Sequence, residues 1–300
     1  MASGSKKVVI AALIGNALVA ATKFIASLFT GSSAMLSEGI HSVIDTSDQL
    51  LMLLGMKRAE KPADANFPYG YGKEIYFWSF VVALMVFLVG AGLSIFEGFR
   101  SLSNPSPIHN PFVNYIVIVL AAIFEGSSWY ISLKAFRKAK GNQNYLRAIR
   151  RGKDPTKFVV LFEDSAALLG LFVAFLGIFL SEQTGILIFD GIASIVIGLI
   201  LGVTASWLAY ETKGLLIGES ADPQIVEAIS NIARQIEEIV KVNETLTMHM
   251  GPDYILVNLS VDFDDSIPAS QVEKATARLV KELKNKFSRV KRVFVEAEEV

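Results

Sequence analysis

Residues 37–49 read SEGIHSVIDTSDQ and run directly into LLMLLGM at 50–56. Glu38, His41, Asp45 and Asp48 therefore fall inside a segment, 33–56, that is otherwise apolar enough to cross a bilayer. A charge at the bilayer centre costs at least about 3 kcal/mol, so it must be offset by a partner, an aqueous cavity or a bound ion. His41 and Asp45 are four residues apart and share one helical face, which Glu38 and Asp48 extend by three residues each way. An imidazole and a carboxylate one turn apart make half a site for a divalent first-row cation. A histidine that titrates near neutral pH can also exchange metal for protons. The alternative is a buried polar pair that joins helices by hydrogen bonds. In a span crowded with further acids the ion reading takes precedence, because ionisable groups inside a membrane mark function by default.

Working outward, the chain of 300 residues is 52% apolar with 20 Phe and a mean hydropathy of +0.45. The apolar residues are concentrated before residue 210, and a span needs roughly 20 of them in succession. Six segments meet that requirement: 7–29, 33–56, 75–98, 112–133, 158–181 and 186–209. The first follows Lys6 and Lys7 but is longer than the apolar stretch of a signal peptide, and no clean cleavage site follows it. Basic residues alternate between the connecting segments. Lys57, Arg58, Lys61 and Lys73 follow span two. Lys134, Arg137, Lys138, Lys140, Arg147, Arg150, Arg151, Lys153 and Lys157 follow span four. The links after spans one and five have neither Lys nor Arg, and the link after span three has only Arg100. The positive-inside rule then predicts that both termini are cytoplasmic. A net charge of −1 and a pI of about 6.3 give no reason to expect a nucleic acid partner. With no Cys, any metal must be held by His, carboxylate or carbonyl groups.

The pattern changes near Ala221. PQIVEAISNIARQIEEI puts Ile225, Ile229, Ile232 and Ile236 on one helical face. In TLTMHMGPDYILVNLSVDF, Ile255, Val257, Leu259 and Val261 alternate with Leu256, Asn258 and Ser260, and the GPD at 251–253 signals a turn between strands. A second helix starts at Pro268 with Val272, Ala275, Leu279 and Leu283 on one face, and VKRVFVEAE reads as a closing strand. The expectation is a six-span membrane domain, 1–212, and a cytoplasmic αββαβ domain of ferredoxin-like type, 213–300.

Span five offers the second half of an ion site. KFVVLFEDSAALLG places Glu163 and Asp164 near its cytoplasmic start. Adjacent residues point about 100° apart on a helix, so one of the two faces a cavity more directly. The competing reading is an acid pair that meets the Lys157 side of the loop. Asn16, Lys23 and Asp190 are expected to pack or form salt bridges across the bundle, and Glu125 with the following SSWY to line an aqueous cavity. No nucleotide-binding glycine pattern and no Ser/His/acid constellation suggests an enzyme.

Together, SEGIHSVIDT, KPADANFPYGYGKE, FEDSAALLG, FDGIASIVIG and the αββαβ tail resemble the cation diffusion facilitator family, within it the zinc transporter nine branch. The resemblance covers nearly the whole chain. It implies a homodimeric, proton-coupled exporter of a divalent metal, with its transport site between spans two and five and its cytoplasmic domains meeting at the dimer interface. The family's HxxxD pair maps onto His41 and Asp45. The span-five pair does not map: Glu163 in the first position leaves Ala167 in the second, and Asp164 in the second leaves Val160 in the first. The resemblance thus implies His41, Asp45 and Glu163 as ligands, with Asp164 as a fourth. With one imidazole and several carboxylates, Mn²⁺ or Fe²⁺ stand beside Zn²⁺, which the general affinity order favours.

Two further family sites are expected to be absent. Relatives bind metal between spans two and three with an Asp and two His, where this chain has Phe67 and Tyr71 at the His positions. Relatives also bind zinc in the cytoplasmic domain through several His, where this chain has His249 alone, with Asn258 on the next strand. Lys73 keeps the family's basic position and is expected to pair with the partner subunit. A short N-terminus with no Arg- and Ser-rich presequence points to a prokaryotic cytoplasmic membrane. The alternatives to an antiporter are a passive facilitator and a membrane-anchored metal sensor or scaffold without active transport.

Overall fold

A computed structural model describes residues 3–140 and 156–299, with side chains from residue 16 onward except at 135, 138–140 and 156–158. Lys6, Lys7 and the basic residues from Lys138 to Lys157 thus lie outside the residues with described side chains. Helices α1 (Ser3–Thr30), α2 (Ser33–Ala59) and α3 (Glu74–Met85) come first. A π-helical segment, Val86–Ala91, joins α3 to α4 (Gly92–Ser103) without a break. Helices α5 (Pro111–Lys140), α6 (Thr156–Thr184) and α7 (Ile188–Ile217) follow. The tail forms α8 (Pro223–Ala233), β1 (Ile239–Gly251), β2 (Tyr254–Phe263), α9 (Ala269–Lys286) and β3 (Val290–Ala297).

The described residues form two compact units, one from 3–56, 77–140 and 156–212, the other from 57–76 and 213–299. Glu74–Ser103, Pro111–Lys134, Val159–Thr184 and Ile188–Ile217, which belong wholly or mostly to the first, are long and apolar enough to cross a membrane. The two other expected spans are not among these. The described apolar part of α1, Asn16–Thr30, is shorter. Helix α2 has 27 residues, but they include Glu38, Asp45, Asp48, Lys57 and Arg58.

Close backbone packing joins α4 to α7. A Cβ on Gly98 would lie 2.8 Å from the Gly191 carbonyl oxygen, and one on Gly198 would lie 3.0 Å from that of Ala91. The pairs run in opposite order along the two helices, so the helices are antiparallel and touch through small residues. This is how helices associate in lipid, where burial of apolar side chains provides no drive. The π segment lies beside α2: a Cβ on Gly90 would meet Ile44 Cδ1 at 3.1 Å, next in sequence to Asp45.

In the second unit the strands lie in the order β1-β2-β3, with β1–β2 antiparallel and β2–β3 parallel. The parallel pair requires a crossover, which α9 supplies. Ile255, Val257, Leu259 and Val261 are buried against Ile229, Ile232, Ala275, Leu279 and Leu283, the alternation and helical faces read from the sequence. Ile236 belongs to this core from beyond the end of α8, and β1 begins earlier than the alternating stretch that announces it. Asp222 starts α8 by accepting a 2.9 Å hydrogen bond from the Gln224 N–H, with Pro223 in the first turn. The segment 57–76 belongs to this unit because Gly72 packs on the Met250 backbone, with no room for a Cβ between them.

Gly98→Val is expected to lower the thermal stability of the detergent-solubilised protein by about 1–3 kcal/mol, the usual range for overpacking. Melting followed by size-exclusion chromatography checks this, with the lipid-facing Phe96→Val as the comparison.

Candidate metal-transport site

The polar face of α2 is held from three directions. At its N-terminus, Asp190 of α7 accepts hydrogen bonds from Ser32 Oγ (2.5 Å), the Ser33 N–H (2.5 Å) and Ser33 Oγ (2.8 Å). A carboxylate there satisfies orphan amides and complements the helix dipole. One turn further, Ser37 and Ser194 of α7 share a 2.5 Å hydrogen bond, and Ser194 also donates to the Ser94 carbonyl of α4 at 2.8 Å. On the side of α1, the fully buried Lys23 donates to Glu38 (3.0 Å), Ser42 (2.8 Å) and Glu125 of α5 (2.7 Å). Lys23 and Asp190 thus each find partners on other helices, as expected, whereas Glu38, read as part of the ion face, is taken up by Lys23.

His41 and Asp45 remain. His41 Nδ1 lies 3.2 Å from Asp45 Oδ1 without the alignment of a hydrogen bond, so neither atom, nor His41 Nε2, has a hydrogen-bonding partner. His41 is 1% exposed. A buried imidazole and carboxylate left unsatisfied are costly unless an ion or proton is shared between them.

Asp45 lines a cavity of about 30 Å³, between α1, α2, α5 and α6. Glu163 and Asp164 of α6 line the same cavity, with Glu125 and Ser128 of α5, Asn16 of α1, and Ser42 and Gln49 of α2. Asp164 accepts hydrogen bonds from Ser128 (2.9 Å) and, more weakly, Ser132 (3.5 Å), whereas Glu163 is 7% exposed and leaves Oε1 unpartnered. Glu163 and Asp164 therefore differ in what holds them, although both reach the cavity. His41 is not among the lining residues, and among the described residues no three His, Asp or Glu side chains converge as a ready ligand set. Asp48, which the sequence reading placed on the ion face but not among the ligands, has both oxygens buried and unpartnered. Its place in the row His41, Asp45, Asp48 was the available signal.

The segment between α2 and α3 is organised without metal ligands from Phe67 or Tyr71. Asp64 Oδ1 accepts from the Asn66 and Phe67 N–H groups at 2.9 and 2.8 Å, and Oδ2 accepts from the Tyr71 hydroxyl at 2.6 Å. The Phe67 and Tyr71 rings pack with centroids 4.5 Å apart, and Lys61 Nζ sits 5.5 Å from the Tyr71 centroid. The Tyr71 hydrogen bond holds the Asp64 carboxyl below its ordinary range, and the same bond raises the phenol. In the αββαβ unit His249 is buried, with Nδ1 3.5 Å from the Gly251 carbonyl, while Asn258 is exposed, so the two do not form one site.

Residues 9–217 match the family described as the cation efflux transmembrane domain. The chain belongs to this family, whose members are transporters rather than enzymes, and it is a multi-pass membrane protein. It is similar to the mitochondrial proton-coupled zinc antiporter SLC30A9 of Mus musculus, at 30% identity over 267 residues, covering 88% of this chain and 47% of that protein. Metal tolerance protein C4 of Arabidopsis thaliana is 31% identical over 276 residues, 91% of this chain and 60% of that protein. The manganese efflux system protein MneP of Bacillus subtilis is 22% identical over 300 residues, 97% of this chain and 95% of that protein. The chain thus spans about half the length of the mitochondrial antiporter it matches.

The Asp64 arrangement has a defined pH window. A lowered carboxyl contributes above the ordinary carboxylate range and is lost as pH falls through its lowered value; a raised phenol contributes until pH climbs through its raised value. The Asn66 and Phe67 amide resonances are therefore expected to be constant near neutrality and to shift together below about pH 4. In Tyr71→Phe that step is expected to move toward higher pH, which an NMR titration checks.

Proposed function

We propose that this chain is a proton-coupled antiporter that exports a divalent transition-metal cation from the cytoplasm. Zn²⁺ is the foremost cargo, with Mn²⁺ and Fe²⁺ beside it. One observation carries the reading: His41 and Asp45 are held 3.2 Å apart on α2 with unsatisfied atoms, and Asp45 lines the same cavity as Glu163 and Asp164. The four residues form the transport site, His41, Asp45 and Glu163 as ligands and Asp164 as the fourth. Closing on an ion draws Asp45 and the α6 acids together, and the His41 imidazole completes the set. Protons arriving on these groups displace the ion toward the far side and reset the cycle. The names of two relatives, a proton-coupled zinc antiporter and a manganese efflux protein, agree with this pairing of chemistry and cargo.

The protein works as a homodimer in a cytoplasmic membrane, with six spans in residues 1–212 and both termini cytoplasmic. Its αββαβ domain, 213–300, faces the same side. The Lys and Arg residues that follow spans two and four support the orientation.

Uptake into proteoliposomes under an imposed pH gradient tests the proposal, with Zn²⁺, Mn²⁺ and Fe²⁺ offered in parallel. Wild type is expected to take up metal with counterflow of protons, and Asp45→Ala to lose both while remaining folded. Metal–proton exchange persisting in that variant removes Asp45 from the site, and no exchange in the wild type leaves a sensor or scaffold. His41→Asp is expected to move the Mn²⁺/Zn²⁺ uptake ratio toward Mn²⁺ by about tenfold, the scale on which even outer-shell changes alter metal sites.

A further inference from the structure

Lys23 uses all three of its donors. They go to Glu38 Oε2 at 3.0 Å, Ser42 Oγ at 2.8 Å and Glu125 Oε1 at 2.7 Å. One ammonium therefore serves two carboxylates, and each keeps a buried oxygen without a hydrogen-bond partner, Glu38 Oε1 and Glu125 Oε2. One ammonium cannot neutralise two ionised carboxylates, so inside a membrane the surplus is met by a proton or by another cation.

The two carboxylates face different surroundings. The free oxygen of Glu38 is pressed against Gly170 of α6, where even a Cβ would not fit. Glu125 instead lines the cavity shared by Asp45, Glu163 and Asp164. Ser128, one turn further along α5, lines it as well and orients Asp164 at 2.9 Å. Helix α5 thus brings both a carboxylate and a hydroxyl to a cavity whose acids otherwise come from α2 and α6.

We propose that Glu125 is a further cation-contacting residue of the transport cavity, with Lys23 as the residue that positions it. The inference rests on the reading of this cavity as the path of the transported ion. Lys23 holds one oxygen of Glu125 and leaves the other for the ion. The added donor is a carboxylate oxygen, so it favours harder cations such as Mn²⁺ over Zn²⁺. Glu125 thereby sets cargo preference as well as affinity.

The wild-type protein provides a direct test by labelling with a hydrophobic carbodiimide, with and without Zn²⁺ or Mn²⁺, and mass-spectrometric mapping of the adducts. With free ion at about nine times its Kd, labelling of Glu125 is expected to fall about tenfold by mass action, and that of Glu38 to stay unchanged. Protection of Asp45 with no protection of Glu125 overturns this inference alone. Protection of neither overturns the reading of the cavity, and this inference with it. In transport assays Glu125→Gln, which can still accept from Lys23, is expected to raise KM for Mn²⁺ about tenfold, with a smaller rise for Zn²⁺ and little change in kcat. Unchanged KM for both ions in the folded variant also overturns the proposal.

Discussion

Keeping ionised groups inside a membrane is the constraint on which the rest of this structure depends. Helix α2 carries Glu38, His41, Asp45 and Asp48 within the membrane domain, where each group needs a partner to offset its cost. Lys23 matches Glu38, and through Glu125 it ties α1 and α2 to α5. Asp190 matches the amides and hydroxyls at the start of α2, tying it to α7. Among the described residues of this seam, His41, Asp45 Oδ1, both oxygens of Asp48, Glu163 Oε1 and one oxygen each of Glu38 and Glu125 have no hydrogen-bond partner, and Asp45, Glu125 and Glu163 line one small cavity. The protein thus meets some of these groups with its own side chains and leaves others unsatisfied.

That division needs the helices to be held in two different ways. Between α4 and α7, glycines bring the backbones into contact, which favours a rigid pair. Around the cavity the lining is made of carboxylates, amides and hydroxyls beside Val19, Phe124 and Val160. The π segment adjoining Ile44 fits this pattern, because such turns break the regular ladder and often accompany functional sites.

The segment between α2 and α3 shows how one chemistry replaces another. Phe67 and Tyr71 form an aromatic pair there, and the Asp64 carboxylate is satisfied by two amides and a phenol. Hydrogen bonds, ring packing and Lys61 beside the Tyr71 ring hold the conformation. Gly72 then lets the same segment lie directly on β1, within the αββαβ unit.

Much of this was legible in the sequence, because helical and strand periodicities are local properties. The i, i+4 spacing of His41 and Asp45, the alternation from Ile255 to Val261 and the faces of α8 and α9 were all readable from side-chain pattern alone. The composition of α2, too polar for an ordinary span, already pointed to an ion. The sequence also named Lys23, Asp190 and Glu125 as odd residues for a membrane. What it does not contain is which of them meet. Lys23 and Glu125 are 102 positions apart, and Ser33 and Asp190 are 157 apart. Only the packed bundle decides that Glu38 belongs to Lys23 rather than to the ion face, and that Asp45, but not His41, reaches the cavity wall. The reason is physical: a helix sets the direction of a side chain from its neighbours in sequence, whereas the partner it finds there depends on how distant helices pack.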